Sequence, residues 1–208
     1  VFDEKQFCEN YRHLEKALCD AYYNYKIAYS YKTNYAPKMC SIVKSMGGYA
    51  EVVSDMEYEI AKAVGYDNSM IIYNGPFKGI KMEEHLLNGG ILNIDNLEEV
   101  NRIICFANRT KKRFSVGIRV NIDVGQSFIS RFGIDADSGD LERAVEAIEN
   151  CEYTKLVGLH CHIGQSRGLE AWKARTTQIL DLADKYIEGI PEYLDLGSGM
   201  FGDMAPAM

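Results

Sequence analysis

The sequence predicts an α/β protein, a parallel sheet covered by helices as in a (β/α)-barrel or a doubly wound sheet, with the strand count favouring the (β/α)8 TIM-barrel type. Three observations carry that expectation. Short β-rich runs alternate with segments of helical spacing, no long polar linker interrupts them, and the chemically reactive residues collect directly after the β-rich runs.

The elements follow in order. "VFDEKQFCENYRHLEKALCDAYY" reads as a helix preceding a first strand at 27–31. Further strands are expected at 50–53, 70–73, 91–94, 116–120, 156–160 and 193–196. Between them, "DMEYEIAKAVG" sets Met56, Ile60, Ala63 and Val64 on one helical face, and "NLEEVNRIICFANR" does the same with Leu97, Val100, Ile103 and Ile104. Ser54 with Glu57 has capping-box spacing, and Asp95 or Asn96 caps the later helix. A barrel closes with eight strands, whereas these runs number about seven. Residues 1–208 are therefore expected to form one incomplete barrel domain, truncated after about the seventh strand of a longer polypeptide. The N-terminal helix does not replace the missing strand.

Composition narrows the function classes. With 47% hydrophobic and 25% charged residues among 208, the chain is globular, and its net charge of −7 disfavours a nucleic-acid partner. Lys111, Lys112 and Arg113, the one basic cluster, read as a solvated helix end. Six cysteines lack C-x-x-C spacing and mostly lie in apolar segments, which points to a reducing, cytoplasmic setting. No apolar stretch approaches the roughly 20 residues needed to span a bilayer, and the first residues lack a signal-peptide pattern.

At the strand ends stand Lys32, Ser54, Asn74 with Lys78, Asn121, His160, His162 and Gly164, and finally Gly197, Ser198 and Gly199. A strand-end lysine is commonly a surface charge; its chemical alternative is an amine, partly desolvated, that forms a Schiff base. In "GLHCHIGQS", period two sets His160 and His162 on one face and Cys161 on the other. Two imidazoles so placed suit zinc, a buried histidine beside a loop residue, or a ring stacked on a flat heterocycle; no third ligand sits at metal spacing. "YLDLGSGMFG" contains G-x-G-x-x-G after a strand, but on the last strand rather than the first. Its glycines suit a phosphate cradle or a structural turn.

These segments together resemble the pyridoxal-phosphate decarboxylases of the alanine-racemase fold (fold type III), above all diaminopimelate decarboxylase and its relatives acting on carboxynorspermidine, ornithine, lysine and arginine. "YSYKTN" is similar to Y-A-V-K-A-N, "AEVVSDMEYEIAKAVG" to A-D-V-V-S-G-G-E-L and "NGPFKG" to N-G-P-x-K-S. "IRVN" and "SRFGID" are similar to L-R-V-N and S-K-F-G-I, "GLHCHIGQS" to G-L-H-C-H-I-G-S-Q, and "YLDLGSGMFG" to L-D-L-G-G-G-L-G. The resemblance implies a cytoplasmic lyase that uses pyridoxal 5'-phosphate to decarboxylate a small amino acid of the diaminopimelate or basic class, without a resident metal. Lys32 would carry the cofactor as a Schiff base, and a quinonoid carbanion would follow loss of CO2. Glu51, in place of an aspartate, would lie near that linkage. His162 would stack on the pyridine ring with Arg119 close by, and Gly164, Ser166, Gly197, Ser198 and Gly199 would approach the phosphate.

Four departures stand out. Glu51 is one methylene longer than the family's aspartate, Gln165-Ser166 inverts Ser-Gln, Arg131 replaces a lysine, and Ser198 interrupts the triple glycine. An L-residue at positive φ costs on the order of 1 kcal/mol, so Ser198 is expected where a side chain is tolerated. The resemblance further implies an eighth strand with an acid for the ring nitrogen and an arginine for the phosphate, a C-terminal β-domain, and a homodimer. None of those residues lies in 1–208, so these residues alone are expected to be nearly inactive. A racemase of the same fold and a non-catalytic cofactor carrier or regulatory homologue are the competing expectations.

Overall fold

The computed structural model describes residues 2–124, 130–164 and 168–198. Helix α1 (Glu4–Ala21) begins at an Asp3 cap that accepts from the Gln6 amide, and it leads to strand β1 (Ala28–Ser30). There follow α2 (Pro37–Ser45), β2 (Tyr49–Val52), α3 (Asp55–Val64), β3 (Ile71–Tyr73), α4 (Lys81–Leu87), β4 (Ile91–Ile94) and α5 (Leu97–Thr110). The described elements end with β5 (Phe114–Asn121), β6 (Ile134–Asp135), α6 (Asp140–Glu149), β7 (Thr154–His160), α7 (Leu169–Tyr186) and β8 (Tyr193–Asp195).

Every pairing is parallel, in the order β1-β2-β3-β4-β5-β7-β8, with β6 attached to the end of β5. The sheet curls into an open barrel wall, since Asn74 after β3 and Asn93 on β4 both reach side chains of β8. All seven expected strands are present. Strand β6, two residues long, is the addition; so short a run leaves no period to read. The register of β5 on β7 slips between Val116 and Gly117, so that Gly117 comes to lie beside Gly158.

That slip makes room inside the wall. A Cβ on Gly158 would stand 2.5 Å from the Tyr193 ring, and one on Gly117 would stand 2.1 Å from the Tyr193 hydroxyl and 2.2 Å from Asn93. The Tyr193 ring thus fills the interior against two bare backbones. Outside the wall, helices bury two apolar clusters. The smaller joins Tyr31, Cys40, Val52, Tyr58, Tyr66 and Tyr73, while the larger runs from α4 to α7 around Ile94, Ile103, Ile118, Leu141 and Leu159. Of the six cysteines, Cys40, Cys151 and Cys161 are buried.

The expected inner face of α5 is observed, with Val100 and Ile103 buried and Leu97 and Ile104 packed at its margin. That of α3 holds for Ile60 and Val64, which pack against the smaller cluster, but needs correction at the other two positions. Met56 and Ala63 are exposed, and the buried positions are Glu57, Tyr58 and Ala61. Tyr58 stacks on Tyr73 with centroids 6.1 Å apart, and Glu57 turns in to the strand end. Counting only apolar residues missed a face held by a tyrosine and a glutamate.

Two helix starts repeat one arrangement. Ser54 caps α3 by accepting from the Glu57 amide, and Glu57 Oε2 accepts from the Val53 amide at 2.7 Å. Asn96 caps α5 by accepting from the Glu99 amide, and Glu99 Oε2 accepts from the Asp95 amide at 3.0 Å. In each, the acid reaches one residue further back than in the usual capping box.

Candidate active site

The C-terminal ends of β1, β2 and β3 build one side of the site. The Tyr31 amide donates to the Glu51 carbonyl at 2.9 Å and Thr33 Oγ1 donates to the Ser30 carbonyl at 2.7 Å, fixing the turn on which Lys32 stands exposed. Glu51 is 8% exposed. The Ser30 hydroxyl donates to its Oε2, and Asn74 Nδ2 donates to its Oε1 at 3.3 Å. The same Asn74 nitrogen reaches Asp195 Oδ2 at 3.3 Å, while Asn74 Oδ1 accepts from Asn93, whose Oδ1 accepts from the Tyr193 hydroxyl at 2.8 Å. A polar chain therefore crosses the interior from β1 to β8.

The ends of β7 and β8 build the other side. His160, 3% exposed, sets Nδ1 3.0 Å from Asp195 Oδ2. Burial would raise the Asp195 carboxyl, but His160, the Gly197 amide at 2.8 Å and Asn74 together hold it below the usual carboxylate range. His162, two residues on, accepts from the Ser198 amide at Nδ1 (3.2 Å), which leaves the proton on Nε2. Burial first, then Lys32 and Arg119, draw its pKa down to about 3. The ring is therefore neutral at pH 7. Cys161, on the opposite face as expected, is pushed up to about 11 by burial.

Arg119, on β5, is 7% exposed and donates to Asp95 Oδ2 at 3.1 Å, with Phe132 5.2 Å from its guanidinium carbon. Asp95 Oδ1 accepts from the Gly133 amide at 3.1 Å, so "SRFGID" closes over this pair. Behind them, fully buried Lys78 donates from Nζ to the Gly75 carbonyl and to Glu99 Oε2, both at 2.8 Å. Burial lowers the Lys78 pKa and Glu99 opposes that shift.

Lys32, Glu51 and His162 thus gather at one mouth. Arg119 lies near enough to act on His162, though its guanidinium is bonded to Asp95. Gly197 and Ser198 form part of the rim and Gly164 follows in the loop after β7; Ser166 and Gly199 lie outside the described residues. Gly197 needs its glycine: φ is +68°, and a Cβ would meet the Cys161 carbonyl at 2.7 Å and His162 at 2.9 Å. Ser198 avoids positive φ, as expected, but its amide is used by His162. Among the described residues, no group of three or more His, Cys, Asp or Glu side chains is placed to hold a metal ion.

Sequence reasoning missed Ser30, Asn93, Asp95, Tyr193 and Asp195. A signal existed for two of them, since Asn93 in "ILNI" and Asp195 in "YLD" are polar residues inside otherwise apolar strands. An amine, a neutral flat imidazole, a nearby carboxylate and a glycine turn pressed on the imidazole's backbone fit a phosphorylated heterocyclic aldehyde.

Comparison with known proteins agrees with that chemistry. Residues 4–205 match the family model described as pyridoxal-dependent decarboxylase, pyridoxal binding domain. The chain is 31% identical to a diaminopimelate decarboxylase of Staphylococcus aureus over 210 residues, which are 96% of this chain and 49% of that one. It is 32% identical over 217 residues to one from Neisseria meningitidis, covering 91% of this chain and 52% of the relative. The solved diaminopimelate decarboxylase of M. jannaschii superposes with a TM-score of 0.79 at 26% identity, over 99% of this chain and 52% of that one. A lysine decarboxylase from Selenomonas ruminantium, at 20% identity and a TM-score of 0.77, shares the fold. The chain spans about half the length of the curated relatives it matches. No helix among the described residues is long and apolar enough to cross a membrane.

Proposed function

The chain belongs to the family of pyridoxal-binding domains of the pyridoxal-dependent decarboxylases, and from that premise we propose that its protein decarboxylates an amino acid of the diaminopimelate class with pyridoxal phosphate. One observation supports this most directly: an exposed lysine and a half-buried neutral imidazole share one barrel mouth with a hydrogen-bonded carboxylate at the neighbouring strand end.

Pyridoxal phosphate, when bound, supplies an electron sink for the bond broken at the substrate's α-carbon. The chain's residues do the rest. Lys32 Nζ would hold the cofactor through its aldehyde and would be the amine placed to take up or return a proton. Glu51, fixed by Ser30 and Asn74, favours the protonated form of a nitrogen at Lys32. His162, kept neutral by burial and by Lys32 and Arg119, presents a flat uncharged ring without repelling a protonated heterocycle. Arg119, bound to Asp95, holds positive charge beside that ring. Gly164, Ser166, Gly197, Ser198 and Gly199 would lie toward the phosphate, as the resemblance implies, with the Gly197 and Ser198 amides given to Asp195 and His162 and so shaping the turn rather than binding the anion. Residues 1–208 act as the cofactor-binding barrel of a homodimeric enzyme whose substrate is a small molecule.

Borohydride reduction of the cofactor-loaded protein, expressed from its complete reading frame, tests this. Peptide mapping is expected to find the pyridoxyl group on Lys32, and label on another lysine, or on none, overturns the assignment. CO2 release from diaminopimelate, lysine, ornithine, arginine and carboxynorspermidine then assigns the substrate, with diaminopimelate expected to react fastest.

A further inference from the structure

We propose that Ser30 is a positioning residue, whose hydroxyl fixes the Glu51 carboxylate at the strand end that also anchors the turn carrying Lys32. The proposal rests on the roles given above to Lys32 and Glu51.

Ser30 and Glu51 are direct cross-strand neighbours in the β1–β2 register, and both face the interior. Parallel neighbours stand about 4.8 Å apart, a gap that a serine hydroxyl and a glutamate carboxylate span between them. Each carboxylate oxygen has one donor, Ser30 for Oε2 and Asn74 for Oε1, and no Lys or Arg pairs with Glu51 among the described residues. Both donors are needed to fix the plane of the group, because the terminal torsion of a glutamate is soft. With Ser30 removed, Asn74 alone holds the carboxylate, and it divides its donors between Glu51 and Asp195.

The backbone ties the same two strands to the lysine. Glu51 accepts the Tyr31 amide through its carbonyl, so the residue that holds the turn before Lys32 is also the residue whose carboxylate Ser30 orients. Glu51 and Lys32 act together on buried Glu57, the first raising and the second lowering its pKa beside the larger effect of burial, which places both in one neighbourhood.

The two positions also depart together from the motifs they resemble. Where Y-A-V-K has alanine this chain has Ser30, and where A-D-V-V has aspartate it has Glu51. A carboxylate one methylene longer and a hydroxyl that receives it thus occur as a hydrogen-bonded pair.

The test uses the cofactor-loaded protein in five forms: unchanged, Ser30→Ala, Ser30→Thr, Glu51→Asp, and Ser30→Ala with Glu51→Asp. The readout is the pH midpoint at which the visible band of the Lys32-bound cofactor changes, with borohydride labelling of Lys32 as the loading control. A carboxylate near a protonated nitrogen raises that midpoint. Letting it drift by about 1 Å at an effective dielectric constant of about 20 lowers the midpoint by about half a unit. Ser30→Ala is expected to show that drop with Glu51 present and less than about a third of it in the Glu51→Asp background, while Ser30→Thr, which keeps the hydroxyl, retains the parent value. No drop in Ser30→Ala, an equal drop in both backgrounds, or a drop in Ser30→Thr as large as that in Ser30→Ala overturns the proposal. Absence of label on Lys32 in the unchanged protein instead overturns the cofactor reading, and the proposal with it.

Discussion

Removing the Lys78 ammonium puts the buried network behind Arg119 under direct test. Lys78 and Glu99 have side chains 0% and 3% exposed, and Nζ stands 2.8 Å from Oε2. In Lys78→Met the stem volume is kept, Glu99 retains the amides of Lys78 and Asp95, and the Gly75 carbonyl loses its side-chain donor. The stranded carboxylate escapes by taking up a proton, which at pH 7 costs an ordinary glutamate about 3.7 kcal/mol. The lost carbonyl bond adds about 1 kcal/mol, and the total agrees with the 3–5 kcal/mol roughly expected on breaking a buried pair. With a urea m-value of about 2 kcal/mol/M, the unfolding midpoint falls by about 2 M. The sign with pH is fixed as well. A carboxyl protonated only in the folded variant stabilises it at low pH, so the deficit shrinks to about half or less by pH 5. Adding Glu99→Gln, which keeps an acceptor and removes the charge, recovers about half of the loss at pH 7. A shift under about 0.5 M, or a further loss on adding Glu99→Gln, refutes the reasoning.

Three more outcomes follow from the structure. His85, fully buried, bonds the Ile91 carbonyl through Nε2 and meets the Asn68 amide at Nδ1, and burial holds its pKa at about 4. Its contribution to stability is therefore whole above its unfolded pKa near 6.5 and is lost as pH falls toward 4, by at most about 1.4 kcal/mol per unit. Urea unfolding across that window is expected to be flatter in His85→Gln, and an unchanged slope counts against it. Gly158→Ala, which drives a methyl into the Tyr193 ring, is expected to cost about 1–3 kcal/mol in thermal unfolding, whereas Gly139→Ala, with nothing within 4 Å, is expected to lose only what its φ of +55° demands. Ser54→Ala and Asn96→Ala each remove a cap and are expected to cost about 1 kcal/mol, additively, because they sit on different helices.

How much of this was legible depended on the range of the interaction. Strand and helix order showed in the sequence because each element carries its own period, and Lys32 and His162 stood out because each closes an apolar run. The bonds around them did not show. Ser30 meets Glu51 across 21 positions and Asn74 meets Asp195 across 121, and no local pattern announces a bond that only the curl of the sheet creates. The inner face of α3 was misread for a related reason, since Glu57 is drawn inward by the Val53 amide rather than by hydrophobicity. Strand β6 owes its existence to the end of β5, with Ile134 and Asp135 paired to Val120 and Asn121.

The corners after β2 and β4 bear on how this protein can be taken apart and rebuilt. At Ser54–Glu57 and again at Asn96–Glu99, cap and acid together satisfy the third helical amide and the amide just past the strand, so each corner supplies the acceptors for these two amides itself. The first corner behaves as a portable joint, whereas the second is also tied to Lys78 through Glu99. A βα unit spliced in at the first brings its closure with it, so chimaeras with related barrels are best cut immediately before Val53, whose amide Glu57 receives.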